Sequence, residues 1–154
     1  MTNTEINITP YKLKHFNDLI EAFDLNTPKY FDPKEKVDFE NFLNQSPSNY
    51  YVAEINGKAV GCCGYNFDND NLTGQISWVL FHPEFQGKGV GKKLVNFCLD
   101  KLGESKKLEK YVVRTSQLAF QFFAKFGFKT EFTDENYWGE GLDLYYMSLV
   151  PSSD

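Results

Sequence analysis

Apolar residues recur along the chain with two spacings, and the spacing changes from one segment to the next. In residues 15–25 and 33–45 they return every third or fourth position, which predicts two amphipathic helices. Residues 50–55, 58–67 and 73–81 are instead rich in β-branched and aromatic side chains, as strands are. The first half of the chain is therefore predicted to form two helices followed by three strands.

The second half alternates strand and helix. Helical spacing returns over residues 89–102 and 118–126. Strands are predicted at 6–8, 111–113, 128–132 and 142–149. The crossover through the helix at 89–102 should be right-handed. Together these elements predict one α+β domain over residues 1–154, with a mixed, mostly antiparallel central sheet of about seven strands and about four helices.

Composition narrows the class of function. The chain has 154 residues and a net charge of −5, which argues against sequence-independent nucleic-acid binding. No apolar run approaches the roughly 20 residues that span a bilayer, and the N-terminus shows no secretory signal. We therefore expect a cytoplasmic protein with neither a membrane nor a nucleic-acid partner. The 3 cysteines and 2 histidines have no metal-ligand spacing, so reduced thiols and no metal site are expected.

A glycine-rich stretch, Phe81–Val95, carries the clearest chemical signal. It follows a predicted strand and leads into a predicted helix, with the pattern Gln86-x-x-Gly89-x-Gly91. Glycines allow positive φ angles and a close approach of backbone to ligand, and amides at a helix N-terminus attract anions. The spacing fits neither the nucleoside-triphosphate loop nor the dinucleotide fingerprint. The sequence therefore predicts an anion site of another kind.

Two motifs together resemble the GNAT family of acetyl-CoA-dependent N-acetyltransferases. The first is the pattern at Gln86, Gly89 and Gly91, which matches the family signature Q/R-x-x-G-x-G/A. The second is Ser116–Phe128, SQLAFQFFAKFGF, which is similar to the family's later helix, N-x-x-A-x-x-F-Y-x-K-x-G-F. The order of predicted elements also matches along nearly the whole chain. The resemblance implies a single-domain GNAT-like fold.

The resemblance also implies a coenzyme A site. The pyrophosphate would bind backbone amides of the glycine loop, and the pantetheine arm would pair with the open edge of the strand at 73–81. The cofactor-binding residues expected on this basis are Val79, Phe81, Gln86, Gly87, Lys88, Gly89, Val90, Gly91, Lys92, Ser116, Phe123 and Lys125. Acetyl-CoA would be the co-substrate, without a metal.

The catalytic residues are less clearly marked. Phe123 stands where the family often has the tyrosine that protonates the departing thiolate, and Ser116 stands where it often has asparagine. Water or another hydroxyl would then supply the proton, with Ser116 and Tyr146 as candidates beside Tyr145. Family members often use a carboxylate base on a strand that faces the pocket. Glu54 is the first candidate for that base.

Asp143 is the second candidate for the base, whereas His82 is expected to belong to a turn. Trp78 is expected to pack in the core or to line the acceptor pocket, and Trp138 to cover the acceptor site from a loop at 135–141.

We expect direct attack of a primary amine of a small molecule on acetyl-CoA in a ternary complex. No cysteine has an evident base partner, which disfavours an acetyl-enzyme. The alternatives are a protein or peptide N-acetyltransferase, a non-catalytic acyl-CoA sensor and an adaptor domain without cofactor. A bulky loop at 26–33 or 135–141 lying across the acceptor end would favour the small acceptor. The sequence leaves room for a homodimer.

Overall fold

A computed structural model describes residues 5–27 and 29–151 of the chain. Its seven strands are β1 (Asn7–Pro10), β2 (Tyr50–Ile55), β3 (Lys58–Phe67), β4 (Thr73–Phe81), β5 (Lys110–Thr115), β6 (Lys129–Gly139) and β7 (Leu142–Leu149). The α-helices are α1 (Phe16–Leu25), α2 (Glu35–Asn44), α3 (Val90–Gly103) and α4 (Phe120–Ala124), and single 3₁₀ turns lie at Leu13–His15 and Pro83–Phe85.

The strands form one sheet in the order β1-β2-β3-β4-β5-β7-β6. Every neighbouring pair is antiparallel except β4 and β5, which run parallel and are joined through α3. The predicted mixed, mostly antiparallel sheet is thus confirmed. No helix in the described residues has the length and apolar character needed to cross a bilayer.

A hydrophobic core lies on each face of the sheet. Helices α3 and α4 cover one face, where Leu94 and Phe123 are buried, and α1 and α2 cover the other, where Phe23 and Phe39 are buried. Adjacent residues on a strand point to opposite faces, so the neighbours Cys62 and Cys63 of β3 belong to different cores. All 3 cysteines are free and buried, as the sequence predicted.

A β-bulge divides β4 into two parts. Ser77 pairs with Gly64 of β3 and Leu80 pairs with Cys62, so that two residues of β4 lie opposite one of β3. Trp78, at the bulge, has a φ of 47°, which costs a bulky residue about 1–3 kcal/mol. Pairing between β4 and β5 extends only as far as Ile76. Beyond the bulge the two parallel strands separate and leave a wedge.

A buried hydroxyl stabilises this bulge. Tyr50 is 2% exposed, and its O–H donates to the carbonyl oxygen of Trp78 at 2.5 Å. The Sγ of Cys62 lies 3.8 Å from the same oxygen. The strained residue Trp78 is thus held by side chains of the neighbouring strands β2 and β3, and these contacts stabilise the bulge.

Several predicted boundaries are wrong, among them those of α4, which spans Phe120–Ala124 instead of 118–126. Strand β6 continues to Gly139, so residues 135–139, predicted as a loop, are a strand and only a tight turn joins β6 to β7. Helix α2 begins at Glu35, two residues later than predicted, because residues 33 and 34 form a turn. The end of β6 is irregular: within residues 135–139 the ladder pairs Gly139 with Leu142 of β7, and its register shifts between Asp134 and Gly139.

We expect Tyr50→Phe to lower the free energy of unfolding by about 1–3 kcal/mol, since it leaves the Trp78 carbonyl without its hydroxyl donor. Chemical denaturation measures the change. Tyr137→Phe is the control, because Tyr137 is 48% exposed and its hydroxyl should contribute less than about 0.5 kcal/mol. Equal stability of the two variants would contradict the role assigned to the Tyr50 hydroxyl.

Candidate active site

The wedge between β4 and β5 opens into a cleft of about 840 Å³. Its walls come from β4, β5, the loop before α3, α4 with the segment that precedes it, and the loop between α1 and α2. The cleft therefore begins at the bulge of β4 and runs along the edge where the two strands no longer pair. It has the size of a ligand site.

One end of the cleft is the glycine loop. Gly87 and Gly89 have φ angles of 82° and 81°, and a β-carbon at either would meet no atom within 4 Å. Intrahelical bonding starts with the Lys93 N–H, which donates to the Gly89 carbonyl at 3.1 Å. Within the described chain no acceptor is found for the N–H groups from Gly87 to Lys92. These amides and the α3 dipole can therefore bind an anion.

Gly91 serves a different purpose from the other two glycines. A β-carbon there would lie 2.9 Å from the Phe81 ring and 3.0 Å from the Phe122 ring. Phe81 and Phe122 are themselves in edge-to-face contact at 5.6 Å. Gly91 thus lets the first turn of α3 approach β4 and α4 closely.

The open edge of β4 is partly occupied by the protein. The His82 N–H donates to the Val60 carbonyl of β3, so the backbone of Phe81 faces away from β3. The Asn26 side-chain amide donates to the Phe81 carbonyl at 2.9 Å and to the Ala22 carbonyl at 2.7 Å. At Phe81 this leaves the N–H for a ligand to pair with.

Most residues predicted from the sequence lie together in the cleft. Those that line it are Val79, Phe81, Gln86, Gly87, Gly89, Val90, Gly91, Lys92, Ser116, Phe123 and Lys125. Lys88 lies in the glycine loop, but its side chain is exposed and is not part of the lining. Phe123 is 4% exposed, and the Ser116 hydroxyl oxygen accepts the Leu118 N–H at 3.2 Å.

Two predicted catalytic residues lie elsewhere. Glu54 is on β2, two strands from the wedge, with its carboxylate 3.4 Å from Nε2 of the buried His15. Tyr146, on β7, stacks on Phe132 of β6 at 4.7 Å. Neither side chain lines the cleft. The sequence pattern identified the strands correctly but not their distance from the wedge.

The other residues considered for catalysis also make hydrogen bonds or ring contacts with neighbouring residues. The Asp143 carboxylate accepts the Asn136 N–H within the β6–β7 hairpin. Nδ1 of His82 accepts the Glu84 N–H, so His82 belongs to a turn as expected. Tyr145 stacks on Phe120 at 4.6 Å. Of the hydroxyls considered from the sequence, Ser116 is the one that lines the cleft.

Glu35, which sequence reasoning missed, contributes the single carboxyl in the described lining of the cleft. It stands at the first turn of α2, and its Oε2 accepts the Asp32 N–H at 2.9 Å, while the Asp32 carboxylate accepts the Lys34 N–H at 3.0 Å. Burial raises the pKa of the Glu35 carboxyl, helped by the negative charges of Asp32 and Asp38 and opposed by the Asp32 hydrogen bond.

A partial signal for Glu35 is present in the sequence. The residues D-x-x-E at 32–35 form a capping pair before a helix. That pattern explains the hydrogen bonds but does not show that the helix start faces the cleft. The orientation depends on the packing of α2 against Trp78, whose ring lies 5.1 Å from that of Phe39.

The end of the cleft opposite the glycine loop is aromatic and bridged. Tyr30, Phe31, Trp78 and Trp138 line it, and the indole N–H of Trp138 donates to the Thr115 carbonyl at 3.0 Å. The loop between α1 and α2 meets the β6–β7 hairpin here, and a β-carbon at Gly139 would overlap the Asp32 carboxylate. Two elements from opposite halves of the chain therefore close over this end.

Comparison with known proteins identifies the family. The profile of the acetyltransferase (GNAT) family matches residues 16–128, which is more than half of the chain. The chain belongs to this family, and the resemblance carried by the two sequence motifs is confirmed. An uncharacterised N-acetyltransferase of Methanocaldococcus jannaschii is 26% identical over 138 residues, covering 83% of this chain and 61% of that protein. The chain thus spans about three fifths of this relative's length.

Solved structures share the fold over nearly the whole chain. A Salmonella typhimurium protein, solved with its cofactor acetyl-CoA, has a TM-score of 0.76 at 21% identity, with 98% of this chain and 95% of that chain covered. The ribosomal-protein-S18-alanine N-acetyltransferase from Escherichia coli has a TM-score of 0.74 at 15% identity, with 96% and 95% covered. Identities this low establish the fold and leave the acceptor open.

We expect Gly89→Asp to weaken coenzyme A binding by at least about tenfold, because it adds a negative charge where the phosphates would bind. Titration calorimetry measures the affinity. Gly57→Asp is a matched control: Gly57 has the same φ of 81° and equally open surroundings, but it lies in the β2–β3 turn. Both variants should lose similar stability, and only Gly89→Asp should lose affinity. Normal binding by Gly89→Asp would place the anion site elsewhere.

Proposed function

We propose that this protein transfers an acetyl group from acetyl-CoA to the primary amine of a small molecule, by direct attack in a ternary complex. The observation that carries the proposal is the cleft itself. It combines an anion-binding loop, an unpaired strand edge and, at the far end, one carboxyl with a raised pKa. The loop suits a phosphate group and the strand edge suits an extended arm with amide groups. The carboxyl suits an amine.

The residues present fit coenzyme A. The free N–H groups of Gly89, Val90 and Gly91 would bind the pyrophosphate, with Lys92 and Lys125 adding positive charge. The Phe81 N–H would pair with the pantetheine arm, and Phe123 and Val79 would give the arm an apolar wall. When bound, acetyl-CoA supplies a thioester whose carbonyl carbon forms a bond with the amine nitrogen as the C–S bond breaks.

Glu35 is the proposed general base. An amine with a pKa near 10 is mostly protonated at neutral pH and must lose a proton before it can attack. A carboxylate with a raised pKa is a better proton acceptor than an ordinary glutamate. Glu35 would take the proton from the ammonium, and the Ser116 hydroxyl or water would give a proton to the departing thiolate. The Ser116 oxygen accepts the Leu118 N–H, and within the described residues no acceptor is found for its O–H, which would therefore be free to donate.

The bridged end of the cleft supports a small acceptor over a protein. The contact between Asp32 and Gly139 joins the loop between α1 and α2 to the β6–β7 hairpin, and a peptide acceptor would have to pass this contact. The indole of Trp138 narrows the same end through its bond to Thr115. The loop between α1 and α2 leaves less room for a protein chain at this end of the cleft than for a small molecule.

The test is release of free thiol from acetyl-CoA with a panel of small amines and, separately, peptides with free N-termini. We expect turnover with a small amine and none above background with the peptides. Turnover with peptides alone would make the protein a peptide acetyltransferase. Coenzyme A binding with no turnover on any amine would make it an acyl-CoA sensor, and no binding at all would indicate an adaptor domain.

We expect Glu35→Gln to lower kcat by about 10²–10⁴-fold while leaving coenzyme A affinity unchanged. Gln can still accept the Asp32 N–H, so the helix cap remains. In the wild type, activity should fall as the pH drops through the raised pKa of Glu35, and this limb should disappear in the variant. The matched control is Glu40→Gln, on α2 but outside the cleft lining.

Stability provides a second readout for the same variant. A raised carboxyl pKa means that the ionised Glu35 destabilises the folded state above the ordinary glutamate pKa, and that this cost disappears as the pH falls. Glu35→Gln should therefore be at least as stable as the wild type at neutral pH, with a weaker dependence on pH. A large loss of stability would show that the carboxylate is needed for folding and would undermine the comparison of rates.

A further inference from the structure

The net charge of the cleft lining is positive, whereas the net charge of the whole chain is negative. Among the described residues its charged lining consists of four cations and one carboxyl: Lys29, Lys92, Arg114, Lys125 and Glu35. The chain as a whole has a net charge of −5. Lys92 in the first turn of α3 and Lys125 after α4 stand near the glycine loop and suit phosphates. Phosphates at that loop do not account for Arg114.

Arg114 lines the cleft from β5, the strand that binds Trp138, and its side chain is exposed. It is on β5, next to Thr115, whose carbonyl accepts the Trp138 indole N–H. In the β5–β7 ladder Arg114 is directly opposite Tyr146, and its guanidinium carbon lies 5.8 Å from the centre of the Tyr146 ring. Tyr146 in turn stacks on Phe132. The position of the guanidinium is thus supported by a stacked aromatic pair.

A neighbouring lysine shows what Arg114 lacks. Lys110 is on the same face of β5, and its Nζ also lies 5.8 Å from the Tyr146 ring centre. Lys110 has a counter-ion, since its Nζ is 3.6 Å from a Glu131 carboxylate oxygen. For Arg114 no carboxylate partner occurs anywhere in the described ranges. One cation beside this ring is neutralised internally, and the one that lines the cleft is not.

An unpaired guanidinium is suited to a planar anion. Its fork of N–H donors matches a carboxylate in a bidentate arrangement, which lysine cannot form. At the acceptor end, Lys29 and Arg114 oppose Glu35 and leave one positive charge in excess. A zwitterionic acceptor has no net charge, so it would match these groups in pairs: its ammonium would lie beside Glu35 and its carboxylate beside Arg114, and the positive charge of Lys29 would remain.

We propose that the acceptor is an α-amino acid or a close analogue, and that Arg114 binds its carboxylate. This inference rests on the proposed function and names the substrate class for the same site. The aromatic wall formed by Tyr30, Trp78 and Trp138 would cover an apolar side chain. The contact of Asp32 with Gly139 limits the acceptor to a compact molecule.

The experiment compares three forms of the same acceptor: L-phenylalanine, L-phenylalaninamide and phenethylamine, extended to other apolar amino acids. For wild-type protein we expect the KM of the acid to be at least about tenfold below that of its amide and amine. Arg114→Gln should raise the KM of the acid by about 10–100-fold with little change in the values for the other two. Arg114→Lys should recover part of the loss.

Two further variants separate this role from a structural one. Lys110→Gln removes the other cation beside Tyr146 and should leave all three KM values unchanged. Lys29→Gln removes the other cation of the acceptor end. A loss specific to the acid in Lys29→Gln but not in Arg114→Gln would overturn the assignment to Arg114.

Binding measurements keep the inference testable if no turnover is found. N-acetyl-L-phenylalanine and its amide are titrated into the protein saturated with coenzyme A. Tighter binding of the acid, lost in Arg114→Gln, supports the carboxylate site even where catalysis fails. Equal binding of acid and amide, or equal KM values in the kinetic assay, overturns it. In that case turnover with simple amines would leave the proposed function intact.

Discussion

The site depends on a hydrogen bond in the core between the sheet and helices α1 and α2. The Tyr50 hydroxyl donates to the Trp78 carbonyl and stabilises an unfavourable backbone conformation in the middle of β4. Because of that bulge, β4 pairs with β5 only up to Ile76 and then diverges. A regular strand would continue the ladder and would have no free edge for a ligand. The cleft is therefore a consequence of local strain that the α1–α2 core stabilises.

The two ends of the cleft are built on different physical principles. At the glycine loop, main-chain amides and a helix dipole provide positive potential, and open space around Gly87 and Gly89 leaves room for a ligand. At the other end, side chains provide the polarity: Glu35 from α2 and Arg114 from β5. Backbone groups suit a phosphate chain that is the same in every reaction cycle, whereas side chains suit an acceptor that must be distinguished from other amines.

What the sequence could predict follows the range of the interactions involved. The glycine loop depends on neighbouring residues, so its spacing alone marked Gly89 and Gly91. The enrichment in β-branched and aromatic residues likewise marked the strands, whereas the division into two cores became visible only in the structure. The position of a side chain relative to the wedge depends on how distant strands pair. Glu54 has the residue type and strand setting expected of a base, yet two strand positions separate it from the wedge.

Glu35 illustrates the reverse case. In sequence it is one acidic residue at a helix start, and its D-x-x-E context explains it as a cap. Its approach to the cleft depends on the contact of Phe39 with Trp78, two residues far apart in the chain. Similarly, composition predicted a loop at 135–141, whereas β6 extends to Gly139, which pairs with Leu142 of β7.

Asn26 has a consequence for how such a protein can diversify. Its amide joins the last turn of α1 to the Phe81 carbonyl, and the α1–α2 segment that closes the acceptor end begins just after it. Because Asn26 fixes the end of α1 to β4, insertions or substitutions in the segment after Asn26 should leave the position of the glycine loop unchanged. Sequence changes in that segment during evolution would therefore alter the acceptor specificity and leave the cofactor-binding loop as it is.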